Sequence, residues 1–126
     1  IPLLIFYKIF IEWILTVELP AKTKVGKGVS IFHGQGLTVN DNTIIGENVI
    51  LRNGTVLGNL FLKNGKISGS PIIGNNVEFG ANCCVIGEIK IGNNVKVGAG
   101  AVVVKDVPDN CVVVGNPAKI INSESE

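Results

Sequence analysis

The sequence predicts an all-β protein, a solenoid of short parallel strands preceded by one short N-terminal α-helix. Two observations support this prediction: an apolar residue returns every six positions through much of the chain, and glycine or asparagine commonly follows it. A period of six fits neither an amphipathic helix nor the alternation of a simple strand. Short repeats are typical of solenoids, in which each unit buries its apolar face against the next unit.

The hexapeptide repeat is clearest between residues 73 and 107. Its first apolar position is filled six times without a gap, by Ile73, Phe79, Val85, Ile91, Val97 and Val103. Four positions after each lies a second apolar and mostly small residue, namely Val77, Cys83, Ile89, Val95, Ala101 and Val107. We expect the first residue to point inward, while glycine or asparagine accepts the positive φ of a tight turn. Three hexapeptides would form one triangular coil of about eighteen residues.

Two segments interrupt the repeat. The pattern begins at Val25 and Ile31 but resumes late, at Val39, because two extra positions lie within "HGQG". This insertion contains His33, the only histidine of the chain. Residues 58–72 also leave the pattern and predict an extruded loop, and loops of this length are usually functional. We therefore expect an N-terminal helix at 1–16, a solenoid domain at 17–121 and a C-terminal tail at 122–126.

Composition excludes several classes of function. Eleven Lys and Arg residues against ten Asp and Glu residues give a net charge of +1, without the basic stripe that a nucleic-acid surface needs. The three cysteines are an odd number and have no CxxC spacing, so they predict neither a disulfide framework nor a zinc site. We expect reduced thiols and a cytoplasmic location.

The N-terminal segment "IPLLIFYKIFIEWILTV" is strongly apolar. Lys8 and Glu12 interrupt it, so no uncharged run reaches the ~20 residues that span a bilayer. We expect a short helix docked on the domain or on a neighbouring subunit, and a helix lying on a membrane surface is the alternative. Because the sequence begins with Ile1 rather than Met, we expect the natural chain to begin earlier.

Further stretches resemble a known family. The segment "VELPAKTKVGKGVSIFHGQGLTVN" is similar to the region around the catalytic histidine of serine acetyltransferases, and "KDVPDNCVVVGNPAKII" resembles their C-terminal motif. With the hexapeptides, these stretches make residues 17–121 similar to the left-handed parallel β-helix acyltransferases. The stretches "LRNGTVLGN" and "SPIIGNNVEFGAN" look closer to colanic acid and capsule O-acetyltransferases. The resemblance implies a left-handed coil, acetyl-CoA as co-substrate, no metal, and a homotrimer with active sites between subunits.

The resemblance also implies catalytic roles. The general-base histidine of the family falls on His33, and the acid that orients its ring falls on Glu18, a little less than one coil earlier. An alcohol is a poor nucleophile, and imidazole is the usual base for activating it near neutral pH. A carboxylate on the far ring nitrogen would fix the tautomer. The matching oxyanion donor is the N–H of Gly58, which would also contact the cofactor.

Other residues match the coenzyme site of the family. Ala81 and Ala99 fall at positions where small side chains let the pantetheine arm approach the backbone. Lys96, Lys105 and Lys119 are candidates for the phosphates of CoA, and Lys119 in "NPAK" ranks first.

Two departures from the serine acetyltransferase pattern concern the acceptor. Phe32 stands where those enzymes have an Asp for the serine amino group, and Gly69 and Ser70 stand where they have Arg-His for its carboxylate. Both ligands for a zwitterion are missing, so we expect a saccharide hydroxyl as acceptor, in a surface polysaccharide. Phe32 could pack on the sugar, Ser70 could bond to a hydroxyl, and Arg52 is either an acceptor contact or a surface charge.

The sequence leaves two alternative functions open and argues against a third. A serine O-acetyltransferase for cysteine biosynthesis is the first alternative, and a non-catalytic β-helix scaffold is the second. A carbonic anhydrase-type zinc enzyme needs three histidines, which one histidine per chain cannot supply. Cys83 falls on an inward position and is expected in the core, while Cys84 and Cys111 lack the neighbours of a thiol nucleophile.

Overall fold

The computed structural model describes residues 1–122 and shows a parallel β-solenoid built from three sheets. The first sheet contains, in spatial order, β1 (Lys24–Val25), β4 (Ile44–Ile45), β7 (Ile72–Ile73) and β10 (Lys90–Ile91). The second contains β2 (Ser30–Phe32), β5 (Ile50–Arg52), β8 (Glu78–Phe79), β11 (Lys96–Val97), β13 (Val112–Val114) and β14 (Lys119–Asn122). The third contains β3 (Thr38–Val39), β6 (Val56–Gly58), β9 (Cys84–Ile86) and β12 (Val102–Val103). The parallel solenoid predicted from the hexapeptides is confirmed.

The strand register measures the length of each coil. Ile72 of β7 lies opposite Lys90 of β10, and this offset is the one that three hexapeptides require. Lys24 lies opposite Ile44, a longer offset, and the extra positions belong to the turn that contains His33. Ile44 lies opposite Ile72, a longer offset still, because the extruded loop lies between β6 and β7. The insertions therefore leave the stacking of the coils intact.

The core follows the predicted inward positions. Of the twelve apolar positions between 73 and 107, eleven are buried, and Ile89 is half-buried against them. Phe79 is the largest fully buried side chain, and Cys83 is in the core as expected. The prediction of burial is wrong for Val25 and Ile31, which are 40% and 41% exposed. They lie on the first coil of the stack, so a neighbouring coil covers only one side of them.

Close stacking explains several of the repeat glycines. A Cβ built at Gly46 would lie 2.5 Å from the carbonyl oxygen of Gly74 in the next coil. No real side chain tolerates such a distance to backbone, so glycine is required by packing at this corner. Asn48 and Asn76 adopt φ values of 56° and 58°, which is the left-handed conformation expected of the turns.

The N-terminal segment is helical but not uniformly α-helical. Helix α1 covers Pro2–Tyr7, and a π-helical stretch follows at Lys8–Ile14, where an α-helix was expected to continue. The hydroxyl of Tyr7 donates a hydrogen bond to the carbonyl oxygen of Leu19 at 2.6 Å, which ties the segment to the first coil. Most of its apolar side chains remain exposed. Within residues 1–122, no helix has the length and apolar character needed to cross a membrane.

Some predicted boundaries shift. Gly58 and Ile72, counted with the extruded loop, belong to β6 and β7. Phe61 and Ile67 form an antiparallel bridge within this loop. Asn122, counted with the tail, belongs to β14, which runs antiparallel to β13 and closes the second sheet. The rest of the predicted tail, residues 123–126, lies outside the described residues.

Candidate active site

His33 lies directly after β2 with a left-handed backbone, at a φ of 54°. Its side chain is exposed, and it opens the turn of residues 33–36, here called the His33 turn. Such a φ is uncommon for residues other than glycine, although Asn, Asp and His adopt it more often than most. The structure thus gives the only histidine an exposed and conformationally constrained position.

The segment that carries Glu18 packs against the His33 turn. The Glu18 N–H donates to the carbonyl oxygen of Leu37 at 2.7 Å, and the Gly36 N–H donates to that of Thr16 at 2.9 Å. The side chains of Glu18 and His33 are both exposed, and no hydrogen bond joins them in the part of the chain that the structure describes. The backbones are therefore held together, while the pairing of the two side chains stays a prediction.

Phe32 and Arg52 form a stacked pair beside His33. They are register partners on β2 and β5, and the guanidinium carbon lies 5.6 Å from the centre of the Phe32 ring. Arg52 also donates to the carbonyl oxygen of Phe79 at 2.9 Å and lies 3.2 Å from a carboxylate oxygen of Glu78. These contacts fix the Arg52 side chain, so it supports the Phe32 ring from one side.

Ser70 and Gly69 lie just before β7. Ser70 is only 8% exposed, and its hydroxyl donates to the side-chain oxygen of Asn40 at 2.7 Å. A Cβ built at Gly69 would lie 2.6 Å from the carboxyl carbon of Glu88. The surroundings of Gly69 therefore include a carboxylate, which sequence reasoning did not identify, because no pattern near Glu88 marks it.

Gly58 ends β6, opposite Ile86. The nearest atom to a Cβ built there is Cδ1 of Ile86, at 3.8 Å, which is an ordinary contact. Packing within the chain therefore requires glycine at position 46 but does not require it at position 58. Its carbonyl oxygen accepts a hydrogen bond from the N–H of Gly87 in the next coil.

The two coenzyme-site alanines lie on turns of adjacent coils. The Gly100 N–H donates to the carbonyl oxygen of Ala81 at 2.9 Å, and a Cβ built at Gly80 would lie 2.5 Å from the nitrogen of Ala99. The structure thus stacks these turns directly on each other. Glycine at position 80 permits this close approach.

Two of the three candidate lysines line one cleft. Lys105 and Lys119 border a cleft of about 350 Å³ together with Pro117 and Ala118. Lys96 is instead exposed on β11, between Glu78 and Val112 of the neighbouring strands, and does not border this cleft. The structure therefore brings Lys105 and Lys119 together and leaves Lys96 apart.

A second cleft, of about 710 Å³, lies between the N-terminal segment and the first coils. Glu18 borders it, together with Tyr7, Trp13 and Asn40. Of these residues, sequence reasoning singled out only Glu18. The single tryptophan of the chain could have indicated this cleft. Because it lies in an apolar helical segment, nothing in the sequence distinguishes it from the other apolar residues there.

The thiol of Cys83 is unreactive at neutral pH. Burial raises its pKa to about 11, so the thiol stays protonated at neutral pH. Within residues 1–122, no group of three His, Cys, Asp or Glu side chains could hold a metal ion.

Comparisons with known proteins match this architecture. The family model "Bacterial transferase hexapeptide (six repeats)" matches residues 70–105. "Putative colanic acid biosynthesis acetyltransferase WcaB" of Escherichia coli (strain K12) is 41% identical over 119 residues, which cover 94% of this chain and 72% of that protein. The chain belongs to the hexapeptide-repeat acetyltransferase family. Serine acetyltransferase 1, chloroplastic, of Arabidopsis thaliana is 43% identical over 110 residues, 86% of this chain and 34% of that protein.

Solved serine acetyltransferases share the fold of this family member. One, in complex with cysteine, has a TM-score of 0.85 at 27% identity, covering 96% of this chain and 49% of that one. The soybean enzyme complexed with serine has a TM-score of 0.84 at 37% identity, covering 95% and 49%. The chain thus spans about half the length of these enzymes. The predicted acetyltransferase activity is confirmed, and it implies acetyl-CoA as co-substrate.

Proposed function

We propose that this acetyltransferase transfers the acetyl group of acetyl-CoA to a hydroxyl of a saccharide destined for a surface polysaccharide. The observation that carries the proposal is the 41% identity, over 94% of the chain, to a relative named for colanic acid biosynthesis. The apolar ring of Phe32 beside His33 supports it, because this ring can pack on the C–H face of a sugar.

His33 is the proposed general base. Its ring accepts the proton of the acceptor hydroxyl as the oxygen attacks the thioester carbonyl, and it then returns the proton to the departing CoA sulfur. The Glu18 carboxylate would hold the opposite ring nitrogen and stabilise the imidazolium. The Gly58 N–H is the proposed donor to the oxyanion, and the absence of a packing reason for glycine at this position supports a role in ligand approach.

We propose that the coenzyme binds where this chain carries residues that match the coenzyme site of the family. The pantetheine arm would run over the stacked turns at Ala81 and Ala99, where small residues leave the backbone accessible. Lys105 and Lys119, which border one cleft, would meet the phosphates. Lys96 becomes the weaker candidate, because it lies away from that cleft.

Charge disfavours free L-serine as the acceptor. Binding serine selectively requires a partner for its ammonium and another for its carboxylate, since unpaired charges are costly to desolvate. Phe32 offers no charge, and Glu88 places a carboxylate beside Gly69, where a cation would be needed. Each missing charge-assisted contact is worth about 1.5–3 kcal/mol. The loss of two should weaken serine binding by roughly 10²–10⁴-fold relative to a site that makes both.

We further propose a cytoplasmic homotrimer with active sites between subunits. The exposed apolar side chains of helix α1, namely Leu3, Ile5 and Phe6, support burial against a second copy, because a contiguous apolar patch is typical of an interface. Docking on a membrane surface is the alternative. Light scattering in the absence of detergent and lipid should report three chains, whereas a stable, active monomer would contradict the assembly.

The proposed reaction is tested with an acceptor panel. Purified protein is incubated with acetyl-CoA and single acceptors, and free CoA thiol is measured against a His33→Asn control. We expect CoA release with saccharides and little with L-serine. Release with serine alone would favour the serine acetyltransferase alternative, to which the solved structural relatives correspond. If no acceptor releases CoA and acetyl-CoA does not raise the melting temperature, the scaffold alternative is favoured.

A further inference from the structure

The cleft beneath the N-terminal segment has the size and chemistry of a binding site. Its volume of about 710 Å³ falls within the range of roughly 300–1,000 Å³ that ligand sites occupy. Tyr7 forms part of one wall, and its hydroxyl is fixed by the 2.6 Å hydrogen bond to the Leu19 carbonyl oxygen. Burial and, to a smaller extent, the nearby Glu12 carboxylate raise the Tyr7 pKa, so the phenol keeps the proton that it donates to Leu19.

We propose that this cleft is a saccharide subsite, which holds the sugar units that flank the unit receiving the acetyl group. This inference rests on the proposed saccharide acceptor. Trp13 borders the cleft and is 69% exposed, so its indole ring is available to a ligand. An aromatic ring covers the apolar face of a pyranose, and carboxylate and amide groups such as those of Glu18 and Asn40 bond to its hydroxyls.

Glu18 connects the cleft to the proposed chemistry. Its side chain borders the cleft, while its backbone N–H is bonded to Leu37, immediately after the His33 turn. A chain of sugars with one hydroxyl at His33 would therefore pass Glu18 and enter the cleft. This arrangement favours a polymer or oligosaccharide over a single sugar unit.

The charges of the cleft select for neutral sugars. Two of its acids are paired, Glu12 with Lys8 and Asp41 with Lys22, each at 3.0 Å. Within the described residues, Glu18 forms no ion pair, so the cleft carries an uncompensated negative charge. An anionic unit such as a uronate would be repelled, whereas neutral hydroxyls would find acceptors.

The single tryptophan gives a direct binding assay. Trp13 fluorescence is titrated with neutral gluco- and galacto-oligosaccharides, from mono- to hexasaccharide, and with oligogalacturonate. We expect a saturable change in emission that strengthens with chain length for the neutral series and is absent for the uronate. A Trp13 emission that no neutral oligosaccharide alters would overturn the subsite.

Kinetics separate this inference from the proposed function. Trp13→Ala should raise the KM for long acceptors about tenfold, leaving the KM for monosaccharides and acetyl-CoA unchanged. Phe10→Ala is the matched control, because Phe10 lies on the same segment and does not border the cleft. If saccharides are acetylated without any dependence on length, only the subsite fails. If no saccharide is acetylated at all, the proposed function fails as well.

Discussion

Replacing His33 by asparagine should remove catalysis while leaving the fold intact. The His33 side chain is exposed and has a φ of 54°, a backbone conformation that Asn48 and Asn76 also adopt. Asparagine therefore fits this position, and we expect a change in unfolding free energy within about 0.5 kcal/mol. Alanine would be a poorer choice, since a left-handed φ costs it roughly 1–2 kcal/mol.

The loss of a general base should lower kcat by about 10²–10⁴-fold. That factor corresponds to roughly 3–5 kcal/mol in the activation barrier. Initial rates of CoA thiol release at saturating acetyl-CoA measure it, with thermal unfolding as the control for structure. The KM for acetyl-CoA should change little, because the ring acts on the acceptor. Near-normal turnover by a folded His33→Asn protein would refute the assignment.

Contacts in the structure support three further predictions. Gly46→Ala should destabilise the protein by about 1–3 kcal/mol in urea unfolding, because its Cβ would collide with the backbone at Gly74, and an unchanged midpoint would contradict the stacking. The double change Lys105→Ala and Lys119→Ala should raise the KM for acetyl-CoA about tenfold at constant kcat. Lys96→Ala should change this KM less. An equal rise in KM for Lys96→Ala and for the double variant would contradict the assignment of the CoA phosphates to the cleft of Lys105 and Lys119. Because burial raises the Cys83 pKa from 9.0 to about 11, the folded state holds a proton that the unfolded state releases. The free energy of unfolding should therefore fall as pH rises from about 9 to about 11, and Cys83→Ala should make this fall smaller. An equal fall in both proteins would contradict the raised Cys83 pKa.

The repeat made the solenoid predictable because its period is set by local turn chemistry and by one inward residue per strand. The sequence also located both interruptions, since the extra residues at His33 and in the extruded loop change the register without disturbing the stack. It did not predict the exposure of Val25 and Ile31, because periodicity carries no information about which coil lies at the end. The π-helical stretch at Lys8–Ile14 and the antiparallel return of β14 likewise lack a signal in the hexapeptide pattern.

The candidate site was less accessible to sequence reasoning, because it depends on side chains from distant positions. The pairing of Lys105 with Lys119 across one cleft requires the fold of the C-terminal segment. Arg52 on β5 contacts Glu78 and Phe79 on β8. These residues are neighbours only because of the strand register, which the sequence around Arg52 does not reveal.

A competition between two acceptors tests the central claim most directly. The protein is given limiting acetyl-CoA with equal concentrations of a neutral oligosaccharide and L-serine, and NMR spectroscopy identifies which product carries the acetyl group. We predict that the saccharide carries most of the acetyl group, because two missing charge-assisted contacts weaken serine binding by roughly 10²–10⁴-fold relative to a site that makes both. Acetylation of serine in preference to every saccharide tested would contradict the account.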